Sequence, residues 1–387
     1  MADTKEIVHT ILVLLGVMAA GFAFGFSAEK ARVFEPQVIR EQMVFERWIM
    51  LKMFLAAMGT SALIFLIMSV IKWDFVKSHY DTAVAEFEST VDSLNGLAVV
   101  IGALILGLGM TIAGSCPGMV FPQTGAWVYM AIVTLVGALL GSFVYGLLHD
   151  KVISKIFKKD TMVFPVSLPK LTNIKFAFLA IPVVAVCAIA VAVLEVQVNW
   201  QSEVNHLHWS RSTSDWMRGD NPFTWMAWPP GLCGIFIGLL QLVVIFLVND
   251  TLGGSSASMT LVAQTAYIKP VKSTFPYMEQ KRAGLVNWWQ VFYVAGAILG
   301  GAISAWASGM HGAVAGVPWY YALVGGFCLT FGARLAHGCT SGHGLSGCGL
   351  LMTSSLVAVP CMFATGIASA FAMQAANRLL DLHHWND

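Results

Sequence analysis

Gly109-Met110-Thr111-Ile112-Ala113-Gly114-Ser115-Cys116-Pro117-Gly118 breaks one long apolar run, and Gly332-Ala333-Arg334-Leu335-Ala336-His337-Gly338-Cys339-Thr340-Ser341 breaks another. Each stretch closes an apolar run with small residues, sets one cysteine at the break, and passes through turn residues into a further apolar run. Cys339 follows Cys116 by 223 residues (339 − 116), and the same offset lays Gly102 on Gly325 and Ala113 on Ala336. An offset of 222 lays Gly16 on Gly238. Glycine- or proline-interrupted apolar segments at corresponding positions of two halves are the sequence mark of an internally repeated membrane fold. The two halves are expected at 1–172 and 173–387.

The composition fits a bilayer. Of 387 residues, 57% are hydrophobic and 11% are charged, against about 25% charged in soluble domains. Nine runs are each long enough to cross about 30 Å of hydrocarbon. They lie near 7–26, 48–71, 94–113, 126–148, 173–196, 231–249, 287–307, 317–336 and 350–375. The fold class expected is therefore an all-α polytopic membrane protein. The first run follows Met1–Glu6, which is not a basic n-region, and it reads as a retained span rather than a signal peptide.

Four further stretches, near 30–45, 114–125, 252–265 and 338–349, are too short or too glycine-rich to cross, yet too apolar for exposed loops. They read as re-entrant half-helices, since irregular backbone at membrane depth persists only under protein cover or along a water-filled cavity. For 30–45 an interfacial helix is an equal alternative, because Glu29, Lys30, Arg32, Glu35, Arg40 and Glu41 are many charges to bury. Spans three and eight precede the two breaks, so an odd offset of five spans makes the repeat an inverted one. Lys151, Lys155, Lys158, Lys159 and Lys170 crowd the 149–172 connection, whereas Trp200, Trp209, Trp216, Trp225 and Trp228 crowd 197–230. The positive-inside rule puts the first connection, and with it the N-terminus, inside a cell membrane.

A net charge of +1 gives no reason to expect nucleic acid as a partner. The seven cysteines show no C-x-x-C spacing, and no H-E-x-x-H, phosphate-binding or dinucleotide-binding motif occurs. No metal and no cofactor are expected. Cys187, Cys328 and Cys361 read as small hydrophobes.

The two breaks carry the chemistry. Ser115-Cys116-Pro117-Gly118 reads as a helix start, with Ser115 or Cys116 as cap and Pro117 in the first turn after Gly114. Gly338-Cys339-Thr340-Ser341-Gly342-His343 reads as a second start, with Thr340 or Ser341 as cap. A half-helix start at membrane depth presents free N–H groups and the positive end of a dipole to a small anion. Thiols at Cys116 and Cys339 add soft, weak donors suited to a sulfur acceptor. Arg334 and His337 lie within six residues of Cys339; an ionisable group at membrane depth is a functional candidate, although an arginine bonding helix-end carbonyls is the alternative.

The stretch His337-Gly338-Cys339-Thr340-Ser341-Gly342-His343-Gly344-Leu345-Ser346-Gly347 resembles the hallmark G-C-T-S-G-H-G of the YeeE/YedE sulfur-transport family, and Gly114-Ser115-Cys116-Pro117-Gly118 resembles its counterpart in the first half. The resemblance implies about nine spans plus re-entrant helices around an hourglass path for thiosulfate. It also implies that Cys116 and Cys339 pass the ion along by S–H hydrogen bonds. Members of the family often carry a third relay cysteine near the first span, where this chain has Gly25-Phe26-Ser27. Cys348 or Cys233 stands as a substitute, or two thiols suffice. The segment from Phe24 through Pro36 and Ile39 looks like a partner that is a separate chain in some bacteria, which implies a fusion of two halves. A membrane sulfurtransferase is the rival reading, with a persulfide on Cys339 handed to a cytosolic sulfur-accepting protein.

Overall fold

The computed structural model describes residues 4–92, 95–157, 166–205, 207, 220–267 and 274–385. Lys158, Lys159, Trp209 and Trp216 lie outside the described residues. The chain is helical, and among the described residues its only bridges are Ser167 with Met352 and Gly316 with His383.

Nine helices fall on the nine expected spans. They are α1 (Thr4–Lys30), α3 (Ile49–Val70), α5 (Gly96–Ala113), α7 (Ala131–Leu148), α8 (Phe176–Gln197), α9 (Pro230–Val248), α11 (Leu285–Ala307), α12 (Trp319–Leu335) and α14 (Thr353–Ala375). All but α12 are long and apolar enough to cross a membrane by length and composition; α12 is slightly shorter, at 17 residues. The protein is a multi-pass α-helical membrane protein. The four half-helical stretches also appear: α2 (Pro36–Met43), α6 (Val120–Gly125), α10 (Ser256–Ala263), and α13, a helix over 340–349 whose centre, Gly342–Gly347, is π-helical. An additional helix not expected from the sequence, α4 (Asp74–Asp92), is polar but buries Val76 and Ala83 against α3 and α9.

Packing follows a two-fold pattern. α1 packs on α11 as α9 packs on α3, and α5 packs on α14 as α12 packs on α7. α6 meets α11 as α13 meets α3, and α2 meets α14 as α10 meets α7. The equivalent helices α5 and α12 cross each other in opposite directions. A Cβ on Gly102 would lie 2.3 Å from the Ala336 nitrogen, and one on Gly325 would lie 2.5 Å from the Ala113 nitrogen. Gly102 and Gly325 therefore permit a backbone-to-backbone approach that no larger residue allows. α1 and α9 are antiparallel as well: Gly16 faces Leu247, and the Trp228 amide donates to the Lys30 carbonyl at 2.7 Å. Helix α8, largely exposed, has no counterpart in this pairing.

The alternating directions of these nine helices sort the connections onto two faces of the bundle. One face, here the lysine face, carries Lys151, Lys155, Lys170, α4, α10 and α13. The other, the tryptophan face, carries Trp200, Trp225, Trp228, α2 and α6.

The charges at 29–41 are buried, so the interfacial alternative for 30–45 fails. Glu29 pairs with Arg32 at 2.7 Å, Arg32 also pairs with Glu35, and Lys30 lies 3.7 Å from Glu29 with no side-chain exposure. Lys30 Nζ donates to the Trp225 carbonyl at 2.7 Å. Arg40 donates to the carbonyls of Thr111 (2.9 Å) and Ile112 (2.7 Å), the open end of α5, and to that of Leu379 (2.9 Å). Mutual neutralisation and a full set of acceptors offset the cost of removing these groups from water.

Candidate functional site

The two breaks meet at the centre of the bundle. α5 ends at Gly114, whose left-handed backbone (φ 56°) turns the chain; a Cβ there would also lie 2.6 Å from Pro36. The Ser115 amide donates to the Met110 carbonyl, completing the C-terminal cap of α5, while the Ser115 hydroxyl reaches the Cys116 carbonyl at 3.3 Å. The expected helix start at 115–118 is not there. Residues 117–119 form a turn, and α6 begins at Val120 after Met119, with no side-chain cap. The amides of Met119 and Val120 donate to the Cys116 carbonyl, so Cys116 holds the turn by its backbone.

In the second half the start is as expected but the cap is not a hydroxyl. The Cys339 carbonyl accepts the His343 amide at 2.8 Å, which places Cys339 at the cap position of α13. Its Sγ lies 3.0 Å from the Ser341 hydroxyl, and the Ser255 hydroxyl and the amides of Gly342 and Gly254 face the same sulfur. Cys339 is fully buried and Cys116 is 8% exposed.

A cavity of about 50 Å³ joins the two motifs. Cys116, Gly118 and Met119 bound it from the first half, and Thr340 and Ser341 from the second. Phe24, Met50, Phe54 and Phe363 complete an apolar wall. The Cys116 thiol is in hydrogen-bond contact with the Thr340 hydroxyl. The volume is several times the roughly 10–15 Å³ that one water needs.

Beyond Cys339 a second cavity, of about 310 Å³, opens toward the lysine face. Gly338, Gly342 and His343 form its floor, and Asp250, Ser255, Ser256, Tyr277, Lys281 and Arg334 are among its walls. Arg334, 6% exposed, donates to the hydroxyls of Ser256 (3.0 Å) and Ser255 (2.6 Å), and Tyr277 lines the same cavity. It therefore reaches the start of the facing half-helix α10 rather than carbonyls at the end of its own helix. No carboxylate lies within ion-pair distance of it among the described residues, and its Nε has no partner there. His343 is a strut: its ring lies 3.0 Å from the Ala336 carbonyl through Nε2 and 2.9 Å from the Ser355 hydroxyl through Nδ1. Those partners are satisfied together when Nε2 carries the proton and Nδ1 accepts from Ser355. Gly338 lets that ring approach, since a Cβ would lie 2.6 Å from it.

Residues 30–368 match the family model described as sulphur transport. The chain belongs to the sulphur-transport (YeeE/YedE) family. No curated protein matches the chain. Membership makes this sulphur-transport protein a transporter of sulfur species across a membrane.

All seven cysteines of the sulphur-transport protein are free thiols. Cys233 and Cys348 are buried away from the Cys116–Cys339 pair: Cys233 sits by Glu29 and Lys30, Cys348 lies toward Cys187, and neither bounds the cavity between the breaks. The sequence reading did not single out Ser255, Tyr277 or Tyr293. Tyr293 had a signal, being the one hydroxyl-bearing residue in the otherwise apolar stretch 291–303 of α11. A phenol buried in such a stretch needs a partner.

Proposed function

We propose that the protein carries thiosulfate, or a closely related small sulfur anion, through a path on which Cys116 and Cys339 are successive contacts. The observation that carries this reading is the cavity between the two breaks, with Cys116 on one side and Thr340 and Ser341, next to Cys339, on the other. A dehydrated anion loses its water shell and needs substitute donors. Thiols offer S–H groups to a large, polarisable terminal sulfur, while the hydroxyls of Thr340 and Ser341 serve its oxygens. The contacts are individually weak, which suits conduction, because the ion must leave as readily as it arrives. Arg334 supplies the attraction that draws an anion into the larger cavity, where Ser255 and Ser256 orient its guanidinium. The division into halves at 172/173 is part of this reading. So is a cytosolic sulfur-accepting protein on the lysine face.

The test is radiolabelled thiosulfate flux into proteoliposomes, with sulfate and sulfide as competitors. Cys116→Ala and Cys339→Ala are each expected to abolish flux while the protein still accumulates in the membrane. Wild-type flux from the double variant would sink the relay. Sulfur transfer through a Cys339 persulfide requires instead a covalent step by a thiolate. Intact mass after thiosulfate exposure separates the two: the proposed path leaves the mass unchanged, and a stable gain of one sulfur atom on Cys339 would overturn it.

A further inference from the structure

Tyr293 of α11 stands between the two thiols. On one side its ring packs against Phe24, with centroids 5.7 Å apart. Phe24 is also the neighbour of the Cys116 turn: a Cβ on Gly118 would lie 3.5 Å from the Phe24 ring and 3.9 Å from the Cys116 sulfur. On the other side Tyr293 meets Gly254, whose own amide faces the Cys339 thiol; a Cβ on Gly254 would lie 3.8 Å from the Tyr293 ring. Gly253, next to Gly254, leads on to the thiol: a Cβ on it would lie 3.9 Å from the Gly342 Cα, and one on Gly342 would lie 4.0 Å from the Cys339 sulfur. Tyr293 is 3% exposed, and its hydroxyl has no hydrogen-bond partner among the described residues.

A buried hydroxyl without a partner destabilises the protein that carries it, and native structures hold few of them. Phenylalanine would fill the same space without that cost. An O–H buried among Phe24 and Gly254, the neighbours of the two thiol turns, acquires its partner when an anion passes. A sulfur oxyanion has two chemically different ends, and the surroundings of Cys339 offer two kinds of donor. The thiol suits the soft sulfur, and the harder phenolic O–H suits an oxygen, with which it forms a short, charge-assisted bond.

We infer that the Tyr293 phenol is a hydrogen-bond donor to the oxygen end of the transported anion while its sulfur end lies at Cys339. This rests on the proposed transport of a sulfur oxyanion and assigns a substrate-binding group within that same path. The Tyr293 donor selects oxyanions over bare sulfur anions at the narrowest part, a step downstream of charge attraction by Arg334.

The experiment pairs two measurements on Tyr293→Phe: thiosulfate flux in proteoliposomes, and thermal melting of the substrate-free protein in detergent. Loss of one hydrogen bond to a charged partner predicts a fall in kcat/KM on the order of 10–100-fold. The melting temperature is expected to stay level or rise, because the change removes an unsatisfied buried hydroxyl. A structural role would do the reverse. Flux equal to wild type, or a lost flux accompanied by a lowered melting temperature, overturns the assignment of Tyr293. Absence of thiosulfate flux in the wild type overturns the transport reading along with it, so the two failures are told apart by the wild-type control.

Discussion

Asp250 follows the C-terminal end of α9 on the lysine face, where its carboxylate accepts the Thr251 amide at 2.6 Å. Burial raises its pKa from 3.8 to about 6; Glu86 of α4 adds to the shift, while the Thr251 amide, Trp289 of α11 and Lys281 oppose it. A carboxyl raised in this way contributes stability that is present below about pH 4 and lost as the pH rises through about 6. The same titration places a negative charge in the wall of the cavity that an anion must enter. Anion loading from the lysine face is expected to weaken between pH 5 and pH 7, on the order of the interval that brackets this pKa. Asp250→Asn is expected to flatten that part of the profile. Identical pH profiles for the variant and the wild type, measured by flux from the lysine face, would remove Asp250 from any role in entry.

At the scale of elements, the two breaks depend on how closely α5 and α12 cross. At Gly102 and Gly325 the neighbouring atoms are backbone, which cannot swing aside. Gly325→Ala is expected to push the helices apart at a cost of about 1–3 kcal/mol, the usual range for overpacking. Gly231→Ala, at the start of α9, is the matched control. Its nearest neighbour is a Val191 methyl 3.5 Å from the added carbon, an ordinary contact. Melting in detergent should show a lowered transition for Gly325→Ala and an unchanged one for Gly231→Ala; equal transitions would mean that the crossing tolerates separation. Half-helix α2 illustrates a different element-scale lesson. Its charges argue for an interface when read singly, yet Arg40 is consumed in capping α5 and Arg32 in pairing with Glu29 and Glu35. For Arg40 the partners are distant in sequence, and they offset a cost that a local reading must count in full.

For the whole molecule, an inverted repeat with nine crossings sets the two chain ends on opposite faces. With the lysine face inside, a tag at the N-terminus should be protected in intact cells and one at the C-terminus should be labelled by an impermeant reagent. Labelling of both ends, or of neither, would contradict nine crossings; labelling of the N-terminal tag alone would reverse the orientation. The two routes into the centre differ despite the pseudo-symmetry. Toward the lysine face there is a polar cavity of about 310 Å³ with Arg334 and two serines, whereas the cavity beside Cys116 is walled by Phe24, Met50 and Met53. At the repeat offset of 223, Thr111 stands where the second half has Arg334, and its hydroxyl is spent on the Gly366 carbonyl at 2.9 Å. The symmetry is one of helices, and the chemistry of the two routes is not symmetric.

By itself the sequence determined the membrane class, the nine spans, the four interrupted segments and the pairing of Cys116 with Cys339. Those features are written in apolar run length and glycine placement, which act locally and survive as patterns in one dimension. Only the tertiary structure decided that the charges at 29–41 are buried and that the Cys116 turn precedes its helix without a cap. It alone set Cys233 and Cys348 apart from the pair. It also brought Ser255, Tyr277 and Tyr293 to Arg334 and Cys339. The physical reason is that a buried polar group is defined by what satisfies it, and here the satisfying group can lie far along the chain, about eighty residues from Arg334 in the case of Ser255.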